Sequence, residues 1–256
     1  MRSPRFVAGI IGAAVGLAVI VVLMLAFLAP RAPAVEPEAI DEPIDEPTGL
    51  AWAPPASAPV AAADPGDGNQ TRVDADWAEQ TAAATGIPIR ALVAYAGAAM
   101  FKADQMPECR LSWSTLAGVG AIESDHGRHA GSSLDAGGNA VPPIFGIALD
   151  GGNTAEITDT DDGKIDGDTE FDRAVGPMQL IPQTWRNWHV DGGGDGVEDP
   201  QNIDDAATAA ANYLCRSSTA MDTEDGWRAA ISAYNSSDTY LSNVAAAAVS
   251  YTEAVG

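Results

Sequence analysis

The stretch LSWSTLAGVGAIESDHGRH, residues 111 to 129, decides the fold because it joins an apolar helix to a single acid at its end. Apolar residues recur at the spacing of one helical face from Trp113 to Ile122, which predicts a helix packed against a core. Glu123 ends that run, and Gly127 then stops the helix. A carboxyl group half inside an apolar face loses solvation, which raises its pKa as a general acid at neutral pH requires.

Other segments share this periodicity, so the chain is predicted to be mainly α-helical. TGIPIRALVAYAGAAMFKA has Pro88 near a helix start, followed by apolar residues on one face. Four more helices are predicted in PQTWRNW, IDDAATAAANYLC, EDGWRAAISAYN and SDTYLSNVAAAAVSYTEA. Each has acidic or hydroxyl residues near its start, as helix N-termini prefer.

One long segment breaks the helical pattern. Between the second helix and Pro177, about fifty residues are rich in Gly, Asp and Pro. A loop of that length inside a compact domain is usually functional or ordered by something else. Within it, PPIFGIALDGG predicts a short hairpin.

The N-terminus predicts a membrane anchor over residues 1–29. Residues 6–29 carry no charge and follow Arg2 and Arg5, and such a length crosses a hydrocarbon core of about 30 Å. A cleavable signal sequence is the alternative, because Ala-Pro-Ala follows at 32–34. The positive-inside rule puts the N-terminus in the cytoplasm and the remainder outside, as a single-pass protein of the cell membrane.

The chain beyond the anchor divides into a linker and one domain. Residues 30–70 are Pro, Ala and acidic residues with few large apolar ones, which predicts a disordered, extended linker. Residues 71–256 suit a single domain. In an oxidising compartment, Cys109 and Cys215 most simply form one disulfide, with two buried free thiols as the alternative.

The acidic balance of the chain restricts its partners. The formal net charge is -23 at pH 7, which excludes nucleic acid because its binding draws on clustered Lys and Arg. The charge gives no long-range attraction to anionic lipid or anionic wall polymers. It serves mainly solubility, and any glycan ligand must be held by short-range contacts.

Two further stretches supply candidate binding residues. AVGPMQLIPQTW puts Gly176 and Pro177 ahead of Gln179 and a short helix, a turn that can present a side-chain amide into a cleft. AISAYNSSDTY puts Tyr234 and Asn235 at the junction of two helices. Each stretch by itself is equally consistent with packing or capping.

Taken in order, a helix ending in Glu-Ser, then Gly-Pro-Met-Gln, then Ala-Tyr-Asn, the chain resembles the lytic transglycosylases of the soluble-lysozyme-like superfamily, and in particular the lytic murein transglycosylase B type. The resemblance covers about residues 75 to 254 and includes DGGGDGVEDPQNIDDAATAAANYL. It implies a lysozyme-like helical domain with a groove for the glycan strands of peptidoglycan. It implies Glu123 as the catalytic residue. The implied substrate-binding residues are Ser124, Gln179, Tyr234 and Asn235.

The reaction implied by the resemblance cuts between N-acetylmuramic acid and N-acetylglucosamine without adding water. Glu123 acts alone as acid and then base, and Tyr234 positions Glu123 or the sugar. Two alternatives remain open. A carboxylate from the Asp-rich loop 159–172 could activate water, which would make the protein a muramidase. A protein that keeps the groove without the chemistry would be a glycan-binding scaffold that holds wall and membrane together.

The reaction requires no cofactor, but a structural calcium ion is a possibility in DGGGDGVEDPQN, residues 191–202. Asp191, Asp195 and Asp199 fall at positions 1, 5 and 9 of an EF-hand loop, while positions 3 and 12 lack an acid. The family that the chain resembles carries a calcium loop at the matching place. An Asx-rich turn without metal is the alternative. The three histidines lack zinc spacing and are interpreted as surface or groove-edge residues.

Overall fold

The computed structural model describes residues 52–152 and 154–256, so the predicted anchor at 6–29 and most of the linker lie outside the described residues. The described chain is mainly helical. Its α-helices are α1 Ala75–Thr85, α2 Ile89–Gln105, α3 Trp113–Ser124, α4 Pro182–Trp188, α5 Ile203–Ser217, α6 Glu224–Tyr234 and α7 Asp238–Val255. The strands are β1 Ser133–Leu134, β2 Ala140–Val141, β3 Phe145–Ala148 and β4 Arg173–Val175.

Helix α3 lies inside the core. Trp113 and Leu116 are at most 1% exposed, and the small residues between them are buried too, so α3 is covered on all sides rather than on one face. A Cβ on Gly118 would lie 2.9 Å from the Val244 carbonyl oxygen, so the glycine lets α7 pack closely. Ile122, predicted on the buried face, is 39% exposed because the last turn of α3 leaves the core.

The six predicted helices are confirmed, and α1 is an additional one. Its sequence ADWAEQTAAAT buries only Ala78 and Thr81, so apolar periodicity gives no signal for it. Asp74 caps it by accepting a hydrogen bond from the Trp77 N–H at 3.0 Å. Among the described residues no single helix is long and apolar enough to cross a membrane; α1 and α2 meet that test only as a pair, bent by 118°.

Side-chain caps explain where the other helices begin. In four of them the residue before the first turn accepts a hydrogen bond from a backbone N–H of that turn, which satisfies a donor that the helix leaves open. Each such cap contributes about 1 kcal/mol. The four capping residues are Ser112, Asn202, Thr223 and Ser237.

The predicted disulfide is confirmed. Cys109 and Cys215 are bonded, with their Cα atoms 5.4 Å apart and 106 residues between them in sequence. The bond joins the segment before α3 to the last turn of α5. Closing a loop of that length stabilises the fold by roughly 4 to 5 kcal/mol in the chain-entropy model.

The predicted linker boundary at residue 70 is wrong, because residues 52–70 pack on the helical domain. Ala53 is 1% exposed. The Trp113 Nε1–H donates to the Ser57 carbonyl oxygen at 3.0 Å, and the Asp74 N–H donates to the Val60 carbonyl oxygen at 2.9 Å. Small and Pro-rich residues can lie against a core without helical or strand periodicity, so composition alone did not reveal this contact.

The long segment between α3 and α4 forms two small antiparallel pairs. β1 pairs with β2 as a local hairpin. β3 lies in the stretch predicted to be a hairpin, yet it pairs with β4, with Phe145 opposite Val175. The hairpin prediction for 142–152 is therefore corrected: the strand is present, but its partner comes after the Asp-rich loop. This pairing puts the loop at one end of the two strands and the turn that follows β4 at the other end.

Candidate active site

Glu123 lies in the last turn of α3, just before the chain reverses. Asp125 and His126 have φ of 51° and 59°, and Gly127 has φ of 83°, so three successive residues are left-handed. Two of them are not glycine, and such strained positions cluster at functional sites. The Asp125 N–H still donates to the Ala121 carbonyl oxygen at 3.0 Å, which closes the helix.

The carboxyl group of Glu123 is present in both its protonated and its charged form near neutral pH. Burial raises its pKa from the ordinary 4.5 to about 7, and a hydrogen bond from Tyr240 works against that rise. The Tyr240 hydroxyl donates to Glu123 Oε1 at 2.5 Å. A group with such a pKa can both give and take a proton near neutral pH.

Ser124 joins the end of α3 to the next part of the site. It is 2% exposed, and its hydroxyl donates to the Pro177 carbonyl oxygen at 2.6 Å. The Ser124 hydroxyl oxygen in turn accepts a hydrogen bond from the Gly127 N–H at 2.8 Å. The geometry therefore makes Ser124 a positioning residue and does not support its predicted contact with substrate.

His126 is not the surface residue that the sequence predicts. It is 3% exposed and lies between two tyrosines, with Nδ1 3.3 Å from the Tyr95 hydroxyl and Nε2 3.0 Å from the Tyr251 hydroxyl. Burial lowers the pKa of His126 to about 4, so the ring is neutral at neutral pH. His126 thus belongs to the strained turn, and its neutral ring packs between the two tyrosines without adding a charge.

The Gly-Pro-Met-Gln turn follows β4. Gly176 has φ of 72°, and a Cβ there would lie 1.7 Å from the Pro200 carbonyl oxygen, so only glycine fits. Gln179 also has a positive φ, of 47°. Its Nε2 donates to the Gly176 carbonyl oxygen at 3.0 Å, while Val175 and Leu180 exchange backbone hydrogen bonds across the turn.

Tyr234 and Asn235 end helix α6. The Tyr234 hydroxyl donates to the Met178 carbonyl oxygen at 2.7 Å, so it holds the Gly-Pro-Met-Gln turn. Tyr234 was predicted to position Glu123 or the sugar; the phenol that hydrogen-bonds to Glu123 is that of Tyr240. Burial, and secondarily the nearby charge of Glu123, raises the pKa of the Tyr234 phenol.

A cavity of about 640 Å³ brings together three of the predicted site residues, which is a usual size for a ligand site. Glu123 is not among the residues that line it, although its charge acts on Tyr234 in the wall. No Asp or Glu of the described chain lines it. The lining residues are Leu149, Thr154, Ala155, Ile157, Gln179, Leu180, Ile181, Thr184, Tyr213, Ser232, Ala233, Tyr234, Asn235 and Ser236.

The predicted calcium ligands do not converge. Asp191 accepts the backbone N–H groups of three following residues at 2.6 to 3.2 Å. Asp195 and Asp199 each accept the N–H two residues further on. Among the described residues, the three do not form a group able to share one ion. The geometry is that of an Asx-rich turn, and calcium at this loop stays a prediction.

Tyr240 is the site residue that sequence reasoning missed. It stands in the first turn of α7, 117 residues from the carboxyl group it contacts. Its sequence context, SDTY, marks a helix start and nothing more. Only the packing of α7 on α3 brings the phenol to Glu123.

Comparison with known proteins gives a family match over part of the chain. Residues 170–229 match the family model described as "Transglycosylase SLT domain", a stretch that includes the Gly-Pro-Met-Gln turn and helices α4 and α5. The match supports a lytic transglycosylase family and, with it, a lysozyme-like domain acting on peptidoglycan. It does not extend to Glu123 or Tyr234. No curated protein and no solved structure matches the chain.

Proposed function

We propose that this protein is a peptidoglycan lytic transglycosylase that cuts between N-acetylmuramic acid and N-acetylglucosamine and leaves a 1,6-anhydro end. The transglycosylase match supports the class. The observation that carries the proposal is Glu123, a partly buried carboxyl group with a pKa of about 7. Among the described residues no Asp or Glu lines the cavity that holds Gln179 and Tyr234, so no partner acid for Glu123 lies in that wall. One acid that both gives and takes a proton fits this arrangement.

In the first step, protonated Glu123 donates its proton to the glycosidic oxygen. The bond between that oxygen and the anomeric carbon of N-acetylmuramic acid breaks, and N-acetylglucosamine leaves as an alcohol. Positive charge develops at the anomeric carbon. Burial of the carboxyl group favours this step, because it keeps a fraction of Glu123 protonated at neutral pH.

In the second step, the Glu123 carboxylate takes the proton from the 6-hydroxyl of the same sugar. The hydroxyl oxygen bonds to the anomeric carbon, which closes the 1,6-anhydro ring and returns Glu123 to its acid form. An internal nucleophile has a high effective concentration, so water need not be activated. The hydrogen bond from Tyr240 stabilises the carboxylate between the two steps.

Polar side chains in the cavity wall would bind the sugar substituents. Gln179 and Asn235 offer amides that both donate and accept hydrogen bonds, which suits hydroxyl and acetamido groups. Tyr234 holds the turn that carries Gln179. Since the chain is strongly acidic, these short-range contacts must supply the binding.

The test is mass spectrometry of fragments that the full-length protein, purified in detergent, releases from peptidoglycan. Glu123→Gln is compared with Glu79→Gln, an exposed glutamate on α1. We expect 1,6-anhydro ends from wild type and Glu79→Gln and none from Glu123→Gln. Reducing ends would instead identify a muramidase. Glycan binding without fragments from wild type would identify a binding scaffold.

We further propose that residues 6–29 anchor the protein in the cytoplasmic membrane with the domain outside. The basis is the uncharged run after two arginines. Protease added to intact spheroplasts should then remove the domain and leave an N-terminal tag protected. Release of the whole domain into the medium without protease would instead indicate signal cleavage.

A further inference from the structure

A second group of acids lies in the loop between β3 and β4, and the proposed reaction does not use it. Asp159, Asp161 and Asp172 each offer one carboxylate oxygen, and these three oxygens lie within 4.8 Å of one another. Asp161 is 7% exposed and Asp172 is fully buried. Like charges held this close and this deep are unfavourable unless something compensates them.

One oxygen of the group has no partner. Asp161 Oδ2 accepts the Ile165 N–H at 2.7 Å, but Asp161 Oδ1 is buried and has no hydrogen bond among the described residues. Burial raises the pKa of Asp161, and the charges of three neighbouring aspartates raise it further. Buried polar atoms in proteins almost always have a partner, so this one points to a ligand.

The cations that bond to this loop have their contacts elsewhere. Lys164 pairs with Asp162 at 2.9 Å, outside the buried group, and its charge acts only secondarily on Asp159 and Asp161. Arg173 pairs with Asp168 at 2.8 Å. The Arg186 guanidinium donates to the carbonyl oxygen of Thr160.

Backbone hydrogen bonds hold the other two carboxylates in place. Asp159 accepts the N–H groups of the next loop residues, including that of Asp161 at 3.0 Å. Asp172 accepts both the N–H and the hydroxyl of Thr160 at 2.8 Å. Each carboxylate oxygen has two lone pairs, so these bonds orient the group and leave it able to bind an ion.

We propose that Asp159, Asp161 and Asp172 bind a calcium ion. All the donors are hard carboxylate oxygens, and neither His nor Cys belongs to the group, which fits calcium and not zinc. Oxygens on opposite sides of a calcium ion lie about 4.6 to 5.2 Å apart, twice the usual bond length, and the spread of this group fits within that distance. Carbonyl oxygens or water complete the coordination. This site is separate from the Asx-rich turn at 191–202.

A calcium ion at this loop would stabilise one wall of the cavity that contains Gln179. Asp172 directly precedes β4, which leads into the Gly-Pro-Met-Gln turn. The Leu149 N–H donates to the Asp172 carbonyl oxygen at 3.1 Å, and the Asp172 N–H donates to the Ile157 carbonyl oxygen at 3.0 Å. Leu149 and Ile157 both line the cavity. Calcium at this loop would therefore fix the wall next to Gln179, whether or not the proposed reaction is correct.

The test is calorimetric titration of calcium chloride into the full-length protein after removal of metals by chelator. We expect wild type to bind calcium and Asp161→Asn to bind at least about 100-fold more weakly, since a central charged ligand is lost. Asp162→Asn, which changes an exposed neighbour, should bind as wild type. Asp191→Asn tests the other loop. The proposal fails if wild type binds no calcium, or if Asp191→Asn loses binding while Asp161→Asn keeps it.

Folding is followed by thermal unfolding in chelator and in calcium. Asp161→Asn removes a charge from a crowded group and keeps an oxygen for the Ile165 N–H, so its midpoint in chelator should equal or exceed that of wild type. The rise in midpoint that calcium gives wild type should be absent. Should this variant not fold, Asp159→Asn at the partly exposed edge must show the same loss of calcium binding. Full binding by a folded Asp159→Asn would overturn the proposal.

Discussion

Two buried acids at helix ends show how the surroundings of a carboxyl group decide its role. Asp204, in the first turn of α5, forms a bidentate ion pair with Arg90, which also donates to the Ala136 and Gly137 carbonyl oxygens. Glu123, in the last turn of α3, has one phenol as its hydrogen-bond donor. Burial raises the pKa of Asp204 as well, but the Arg90 guanidinium opposes that rise, and the ion pair ties α2 to α5. The Glu123 carboxylate receives one hydrogen bond from a phenol, so its pKa stays at about 7 and it can exchange a proton at neutral pH.

The helix ends reinforce this difference. Asp204 lies at the N-terminus of α5, where the helix dipole favours a negative charge. Glu123 lies at the C-terminal end of α3, where the dipole disfavours one. Both carboxyl groups lose water, but among the contacts within residues 52–152 and 154–256 a cation is paired with Asp204 and none with Glu123. Three substitutions, at these two positions and at Tyr240, give four predictions that test the difference between the two acids.

The largest expected effect is loss of cleavage in Glu123→Gln. Without a group that can donate a proton, turnover should fall by about 10² to 10⁴-fold, the usual contribution of general acid–base catalysis. Fragment release from peptidoglycan measures it, with Glu79→Gln as the control. Turnover within a few-fold of wild type would show that Glu123 is not the acid.

Next in size is the loss of stability in Asp204→Asn. Removing one partner leaves Arg90 without its buried counter-charge, which costs about 3 kcal/mol. Denaturant unfolding measures this cost. Asp225→Asn, an exposed acid in the first turn of α6, controls for the helix-dipole effect and should change stability by less than about 1 kcal/mol. If Asp204→Asn and Asp225→Asn lowered the free energy of unfolding equally, the Arg90 ion pair would not be what distinguishes Asp204 from Glu123.

A gain of stability in Glu123→Gln at high pH comes third. Because the folded protein holds the Glu123 proton more tightly than the unfolded chain, wild type loses stability as the pH rises from about 4.5 to 7. Glutamine has no such loss. The variant should equal wild type near pH 4 and exceed it by about 2 kcal/mol at pH 8. Thermal melts at the two pH values check this, and a variant less stable at pH 8 would contradict the burial argument.

The smallest effect concerns Tyr240→Phe. Its hydroxyl lowers the pKa of Glu123, so removing it should raise that pKa by about one unit, or about 1.4 kcal/mol. The alkaline limb of the activity profile, where the acid loses its proton, should move up by the same amount. A purely structural role for Tyr240 would lower turnover at every pH without moving that limb. Tyr213→Phe removes a phenol hydroxyl from the cavity wall as a control, and it should leave the alkaline limb where it is in wild type.

Much of the fold follows from local sequence. The helices from Ile89 onward were predicted because apolar periodicity and capping residues act within a few positions along the chain. Helix α1 was missed because its buried residues are only Ala78 and Thr81, and the one large side chain that it packs on the core, Trp77, makes no periodic pattern. The packing of residues 52–70 was missed for a related reason: small residues contact a core without any regular pattern.

The candidate site was only partly accessible to the same reasoning. Glu123, Gln179, Tyr234 and Asn235 were identified by type and order, and three of them line one cavity. Their hydrogen bonds were not predicted. Tyr234 holds the Met178 carbonyl oxygen rather than the acid.

Residue type and local order along the chain were enough to predict the helical class, the disulfide and the acid at the end of α3. They were not enough to predict which phenol contacts Glu123, which strand pairs with Phe145 and which aspartates lie near Asp161, and these contacts are seen only in the folded chain. These contacts join residues far apart in the chain. Their formation depends on how helices and strands pack against one another, which the periodicity of a local segment does not indicate.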